Sequence, residues 1–142
     1  MTRLGCRACG TLLTHPGEWG TLSQRDESVG DRQSPCPTGF LIRMKEKSGP
    51  VYGRRGEQIG THLFSPEGAI AVHPDTVIDG TLVSCGNDNG CCGSSGSDGP
   101  NRACTCGSVV ATEWSDCWTW AEVRFLPDAV VEVARGISAP PP

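Results

Sequence analysis

Nine cysteines carry most of the chemistry open to this chain, and their spacing indicates which chemistry. Cys6 and Cys9 stand in Cys-Arg-Ala-Cys-Gly. Two thiols separated by two residues can present both sulfurs to one ion, and Gly10 relieves the tight turn that aims backbone amides at them. Cys104-Thr105-Cys106-Gly107 repeats the pattern with one residue fewer. Each is followed by a β-compatible run, Thr11–Thr14 in one case and Ser108–Thr112 in the other. Two such knuckles facing each other make a zinc-ribbon-like site. Between them lie Cys85, Cys91 and Cys92, in a stretch that is mostly Gly, Asn, Asp and Ser, and Cys117 follows in Asp116-Cys117-Trp118. A segment of that composition packs no apolar core, so ordering it calls for a metal.

Nine thiols divide into two sets of four with one left over. Cys36, isolated between Pro35 and Pro37, is the expected remainder. The expected ligands are Cys6, Cys9, Cys85, Cys91, Cys92, Cys104, Cys106 and Cys117, holding two structural zinc ions. Spacing does not fix which four share an ion. The echo between the knuckles pairs Cys6 and Cys9 with Cys104 and Cys106, leaving Cys85, Cys91, Cys92 and Cys117 as the second set. Adjacent Cys91 and Cys92 ligate one ion only in a strained geometry, or serve two neighbouring ions.

Rival readings of the same residues are weaker. An odd number of thiols suits a complete disulfide set poorly. The start of the sequence, Met1-Thr2-Arg3-Leu4-Gly5-Cys6, has no apolar leader, which makes a reducing cytoplasmic location the expectation. The spacings match neither of the common ferredoxin patterns. Asn87, Asp88, Asn89 and Asp98 lack the positional order of a calcium loop, and turn formation explains them better. His15, His62 and His73 are isolated, and none displaces a cysteine. A thioredoxin-like motif needs a helix opening at its first Cys, against which Gly10 and the run after it argue.

The elements that must position these thiols are short and β-rich. With 19 glycines and 11 prolines in 142 residues, turns and loops are favoured over long helices, and no apolar run is long enough for a membrane-spanning helix. Phe40–Lys47 alternates Phe40, Ile42 and Met44 with Arg43, Lys45 and Lys47, as a half-buried strand does. Thr61–Phe64 and Ala69–Val72 flank Ser65-Pro66-Glu67-Gly68, and Thr76–Ile78 and Thr81–Val83 flank Asp79-Gly80; both read as hairpins. Ser108–Thr112 and Trp120–Phe125 read as strands, and Ala129–Val133 as a strand or a short helix opened by Pro127. Ser23–Pro35 has no apolar periodicity and reads as a mobile surface loop, and 139–142 as a disordered tail. The expected fold is therefore mainly β and loop-rich: one zinc-stabilised domain over 1–138, with hairpins and zinc-ribbon-like knuckles.

Charge narrows the partners. The net charge is −4, but residues 1–60 carry nine basic and six acidic groups, and 61–142 carry three and ten. Each four-thiolate zinc site adds −2, so nucleic-acid binding is disfavoured, although Arg43, Lys45, Lys47, Arg54 and Arg55 form a local basic group. Trp114, Trp118 and Trp120 surround Cys117, as a cover for the metal site or as a platform for a partner. No Ser/His/Asp order, phosphate loop or metalloprotease helix is present, and His73-Pro74-Asp75 reads as a turn.

Gly90-Cys91-Cys92-Gly93, Asp98-Gly99-Pro100-Asn101, Cys104-Thr105-Cys106-Gly107 and Asp116-Cys117-Trp118 resemble stretches in small uncharacterised bacterial proteins that also open with a Cys-x-x-Cys-Gly knuckle. The resemblance covers the first dozen residues and about the last sixty, and implies a cysteine-rich bacterial protein without supplying an activity. The expected function is that of a non-enzymatic structural-zinc protein acting as a protein-interaction module, for instance a regulatory or toxin-neutralising partner. A thiol-based redox or metal-sensing protein, using Cys91-Cys92 or Cys36, is the first alternative; a nucleic-acid-binding zinc ribbon is the second.

Overall fold

Runs of β-branched and aromatic residues between Gly and Pro turns build short strands, and pairing between residues far apart in sequence decides where each one lies. The computed structural model describes residues 1–45, 49–52, 54–55, 58–62, 65–86, 90–96 and 99–134. Its strands in chain order are β1 (Thr2–Cys6), β2 (Glu18–Gly20), β3 (Phe40–Arg43), β4 (Gly49–Tyr52), β5 (Gln58–His62), β6 (Ile70–Val72), β7 (Leu82–Ser84), β8 (Arg102–Cys104), β9 (Val109–Trp114), β10 (Glu122–Phe125) and β11 (Val130–Ala134). Apart from two three-residue 3-10 turns, Leu22–Gln24 and Pro74–Thr76, there is no helix among the described residues. The protein is mainly β, as expected.

Seven strands form one sheet in the order β2-β3-β6-β10-β9-β8-β7, β1 pairs with β11 in a two-stranded ribbon, and β4 pairs with β5 in another. All these pairings are antiparallel except β2 with β3. The β1–β11 ribbon supplies Leu4, Cys6 and Val130 to the main core, where they meet Leu41, Ile70, Val72, Cys104, Val110, Val123 and Phe125 of the large sheet. Two cysteine sulfurs are thus embedded in that core before any ion is considered.

Strand β10 shows what the opposite face holds. Val123 and Phe125 point into the main core, while Glu122 and Arg124, one residue out of phase, are buried on the other side, with 1% and 2% exposure. The polar segment 23–35, expected as a free loop, is folded down over this face. Arg25 reaches in from it to pair with Glu122, and Arg32 N–H donates to Thr119 O while Ala121 N–H donates to Gln33 O. A buried carboxylate recruits its counter-charge from wherever the chain can supply one, and a loop with no apolar periodicity can do so. Trp120 stacks on Arg25 and Trp114 on Arg124, with centroid distances of 5.7 and 5.1 Å. A small apolar group of Ile42, Met44, Ala71 and Cys36 fills the rest of this side.

Both expected hairpins are corrected. The Ser65–Gly68 turn forms, with Ala69 N–H donating to Pro66 O and Gly68 at φ 85°, but β6 pairs with β3 and β10, while β5 pairs with β4. Ile70, Ala71 and Val72 are all buried, so β6 is a central strand that needs a neighbour on each edge. Leu63 and Phe64 lie outside the described residues. The Asp79-Gly80 turn also forms, with Gly80 at φ 80°; its flanks then separate, Val77 bridging to Thr14 and β7 pairing with β8. The Ala129–Val133 run is strand β11, not a helix, because β1 offers it a complete edge. Asn87, Asp88, Asn89, Asp98 and the tail 139–142 fall outside the described residues.

Candidate metal centre

The two knuckles share one backbone design. In the first, Cys6 N–H donates to Thr11 O at 2.8 Å and Gly10 N–H to Cys6 O at 2.7 Å. In the second, Cys104 N–H donates to Ser108 O at 2.8 Å and Gly107 N–H to Cys104 O at 2.8 Å. Gly10 and Gly107 close these turns at φ 81° and 96°, a region where a side chain is strained. One knuckle leaves β1 and the other joins β8 to β9. The core that packs β1 against the large sheet therefore sets the two face to face.

Cys6, Cys9, Cys104 and Cys106 converge there, all four sulfurs lying within 4.8 Å of one another. The Cys6 and Cys106 sulfurs are 3.7 Å apart and those of Cys9 and Cys104 3.5 Å. A tetrahedral ion with metal–sulfur bonds of about 2.3 Å needs sulfur–sulfur edges of about 3.8 Å, so the cluster has the size for one. Cys6 and Cys104 are fully buried, and Cys9 and Cys106 form the outer edge. These are the four cysteines of the first expected set.

Electrostatics within this group favour a cation. A hydrogen bond from the Thr11 side chain, then one from its backbone, pulls Cys9 down to about 6. Cys106 receives a backbone hydrogen bond at Ser108 that lowers it, yet desolvation and its sulfur neighbours push it up to about 11. Neighbouring thiols cannot all ionise when no cation balances them, whereas a divalent ion lets every one be a thiolate.

A second group joins Cys91, Cys92, Asp116 and Cys117. It too can hold a metal ion. Cys91 sulfur lies 3.2 Å from that of Cys92 and 3.1 Å from that of Cys117. Asp116 Oδ1 is 3.6 Å from Cys91 sulfur and accepts the Cys92 N–H at 3.0 Å. Burial alone would raise Asp116, but the Cys92 and Cys117 amides outweigh it and hold the carboxyl below its ordinary range. Cys91, hydrogen-bonded to Cys117 and Cys92 and close to Asp116, is pushed up to about 12.

Cys85 lies outside this group, and Asp116 occupies the place expected for it. Following β7, Cys85 is carried by the β7–β8 register, its N–H donating to Asn101 O, and its exposed thiol faces Pro100 O at 3.9 Å. Asp116 was missed because an aspartate next to a cysteine has the same appearance in sequence as any turn aspartate. His15 and His73 belong to neither group, His73 Nδ1 accepting the Asp75 N–H instead. Trp114 and Trp120 are buried, but over the arginines; Trp118, beside Cys117, is 51% exposed.

Cys36 also lies outside both groups, and its position explains why. It is 1% exposed, 3.0 Å from an Arg25 guanidinium nitrogen and 3.3 Å from Glu122. Burial first, and the Glu122 charge second, push its thiol far above the ordinary range, with Arg25 opposing. In the native protein at neutral pH, Cys36 is expected to resist iodoacetamide and to react only in denaturant. Peptide mapping by mass spectrometry checks this, and native-state labelling of Cys36 would contradict it.

Comparison with known protein families, with curated proteins and with solved structures finds no match.

Proposed function

We propose that this chain is a zinc protein whose four-thiolate group is a closed structural site, and that the domain it stabilises serves as a protein-interaction module. One observation carries the reading: two knuckles about a hundred residues apart bring Cys6, Cys9, Cys104 and Cys106 into a cluster of tetrahedral size. Four thiolates with no vacant position suit a structural ion, since catalytic zinc keeps a site open to water and usually draws on His or carboxylate ligands. The second group is read as a second metal position. The interaction role is supported by the acidic balance of residues 61–142, which suits a basic partner, and by Trp118 standing out beside Cys117. On this reading the chain itself acts as the regulatory or toxin-neutralising module, and its partner is a basic protein.

The test is metal content of protein purified without added metal, by elemental analysis and native mass spectrometry. At least one zinc per chain is expected in the wild type, with one fewer in Cys104→Ser. Iron, or disulfides in place of metal, would overturn the reading. For the interaction role, a pull-down with the zinc-loaded chain should recover a stoichiometric protein partner, and recovery of none would count against it.

A further inference from the structure

The two cysteine groups differ in ways that point to different ions. The first is half buried, with sulfur edges of 3.5 and 3.7 Å. In the second, Cys91 and Cys92 are exposed and Cys117 is half-buried. Its two edges at Cys91, 3.2 and 3.1 Å, fall further below the tetrahedral edge of about 3.8 Å than those of the first group do. Around an ion bonded at about 2.3 Å they correspond to sulfur–ion–sulfur angles of about 85–90°, well below tetrahedral. Such narrow angles suit a three-coordinate pyramid, with an ion at the apex and its lone pair or an open position facing outward.

Asp116 is better engaged as a holder of the loop than as a fourth ligand. Its Oδ1 already accepts the Cys92 N–H, its own N–H donates to Ser94 O at 3.1 Å, and Ser115 N–H donates to the same oxygen at 2.8 Å. Ser94 N–H in turn donates to Ser115 Oγ at 3.0 Å. The loop is pressed so closely that a Cβ on Gly90 would sit 2.0 Å from Gly93 O, and one on Gly93 2.5 Å from Ser115 O. Glycines on both sides of Cys91-Cys92 thus allow two adjacent thiols to meet the Cys117 thiol, the pairing that seemed strained from sequence. Cys92 also lines an open cleft of about 410 Å³ with Arg32 and Trp114, which gives an ion access from solvent.

We propose that Cys91, Cys92 and Cys117 form an accessible three-thiolate site for a soft, thiophilic ion that prefers pyramidal coordination, with Asp116 as a positioning residue. This rests on the reading of the second group as a metal position, and assigns it an ion class other than the structural zinc of the first. Trivalent arsenic is the probe, because it takes three thiolates and has no use for a carboxylate. Arsenous acid and three thiols give the trithiolate and three waters: three S–H and three As–O bonds break, three As–S bonds and three new O–H bonds form as each thiol proton passes to a departing hydroxyl, and no atom changes oxidation state.

The experiment adds arsenite to the zinc-loaded chain under a non-thiol reductant, followed by native mass spectrometry and alkylation mapping. One arsenic per chain is expected, protecting Cys91, Cys92 and Cys117 while the first-site zinc is retained. Cys92→Ser and Cys117→Ser should each weaken uptake by about 100-fold, since each removes one arm of a chelate. Asp116→Asn keeps the oxygen that accepts the Cys92 N–H and should bind arsenic within a few-fold of wild type; a loss of about 100-fold or more there would show the carboxylate to be a ligand and overturn the positioning role. First-site zinc content serves as the folding check for every variant. Failure to take up arsenic with that zinc in place, or uptake indifferent to Cys92 and Cys117, overturns the inference; absence of zinc from the first site overturns the proposed function instead.

Discussion

Stripping the proposed zinc ion from Cys6, Cys9, Cys104 and Cys106 is expected to unfold the chain. Those thiols tie β1 to the β8–β9 turn, and two of them sit inside the main core. Structural zinc contributes about 10–16 kcal/mol in small metal-dependent peptides, comparable to the whole stability of about 5–15 kcal/mol of an ordinary domain. With 19 glycines and few large apolar side chains, little is left to hold the fold once the ion leaves. A strong chelator at pH 7 should abolish the near-ultraviolet circular dichroism of the buried tryptophans, and zinc should restore it. Acidification should act in the same direction, because protons compete with the ion for every thiolate, so the chelator concentration at half-unfolding falls as pH falls. A chain that keeps its native spectrum after all metal is gone would show the core to be self-sufficient.

Replacing Glu122 by Gln is expected to cost about 3–5 kcal/mol, because it removes the buried carboxylate that pairs with the Arg25 head group and leaves both Arg25 and Arg124 facing a neutral amide. For a chain of this length that corresponds to a fall in melting temperature of about 10–20 °C. Burial by itself would raise the Glu122 carboxyl; Arg124 first and Arg25 second outweigh it and hold the group below its ordinary range. The sign follows. A carboxyl lowered in the folded state adds stability above its unfolded value of about 4.3 and loses that contribution as pH falls through the folded one. The gap between wild type and Glu122→Gln, measured by thermal denaturation at matched zinc content, should therefore be widest near neutrality and narrow below pH 4. A variant within about 1 kcal/mol of wild type at pH 7 would mean that this face is wetter than its burial indicates.

How much of this was legible in the sequence depends on whether the signal was local. Cys6, Cys9, Cys104 and Cys106 could be grouped in advance because each knuckle carries its own turn chemistry, with glycine after the second thiol, and the two patterns match. The same local logic found the Pro66 and Gly80 turns but misplaced their strands, since β6 and β7 choose partners by burial and sheet position. Asp116 in place of Cys85 was hidden for a related reason: sulfur counting gives a number of ligands, whereas the β7–β8 register decides which thiol arrives. The Arg25–Glu122–Arg124 cluster gave no periodic signal at all. It joins a loop residue to a strand residue 97 positions away, and only the folded chain reveals that both are buried.

The separation of the two knuckles also sets a schedule for synthesis. Cys6 and Cys9 leave the ribosome long before Cys104, and β1 before its partner β11. At about 5–20 residues per second, the first pair of thiols spends roughly 5–20 s as an incomplete half-site. During that interval any ion they hold is shared with whatever donor supplies it, and the exposed edge of β1 is open to other strands. A ribosome-bound chain truncated before Cys104 should therefore capture zinc only weakly, and the nascent protein depends on its last third to close what its first ten residues begin.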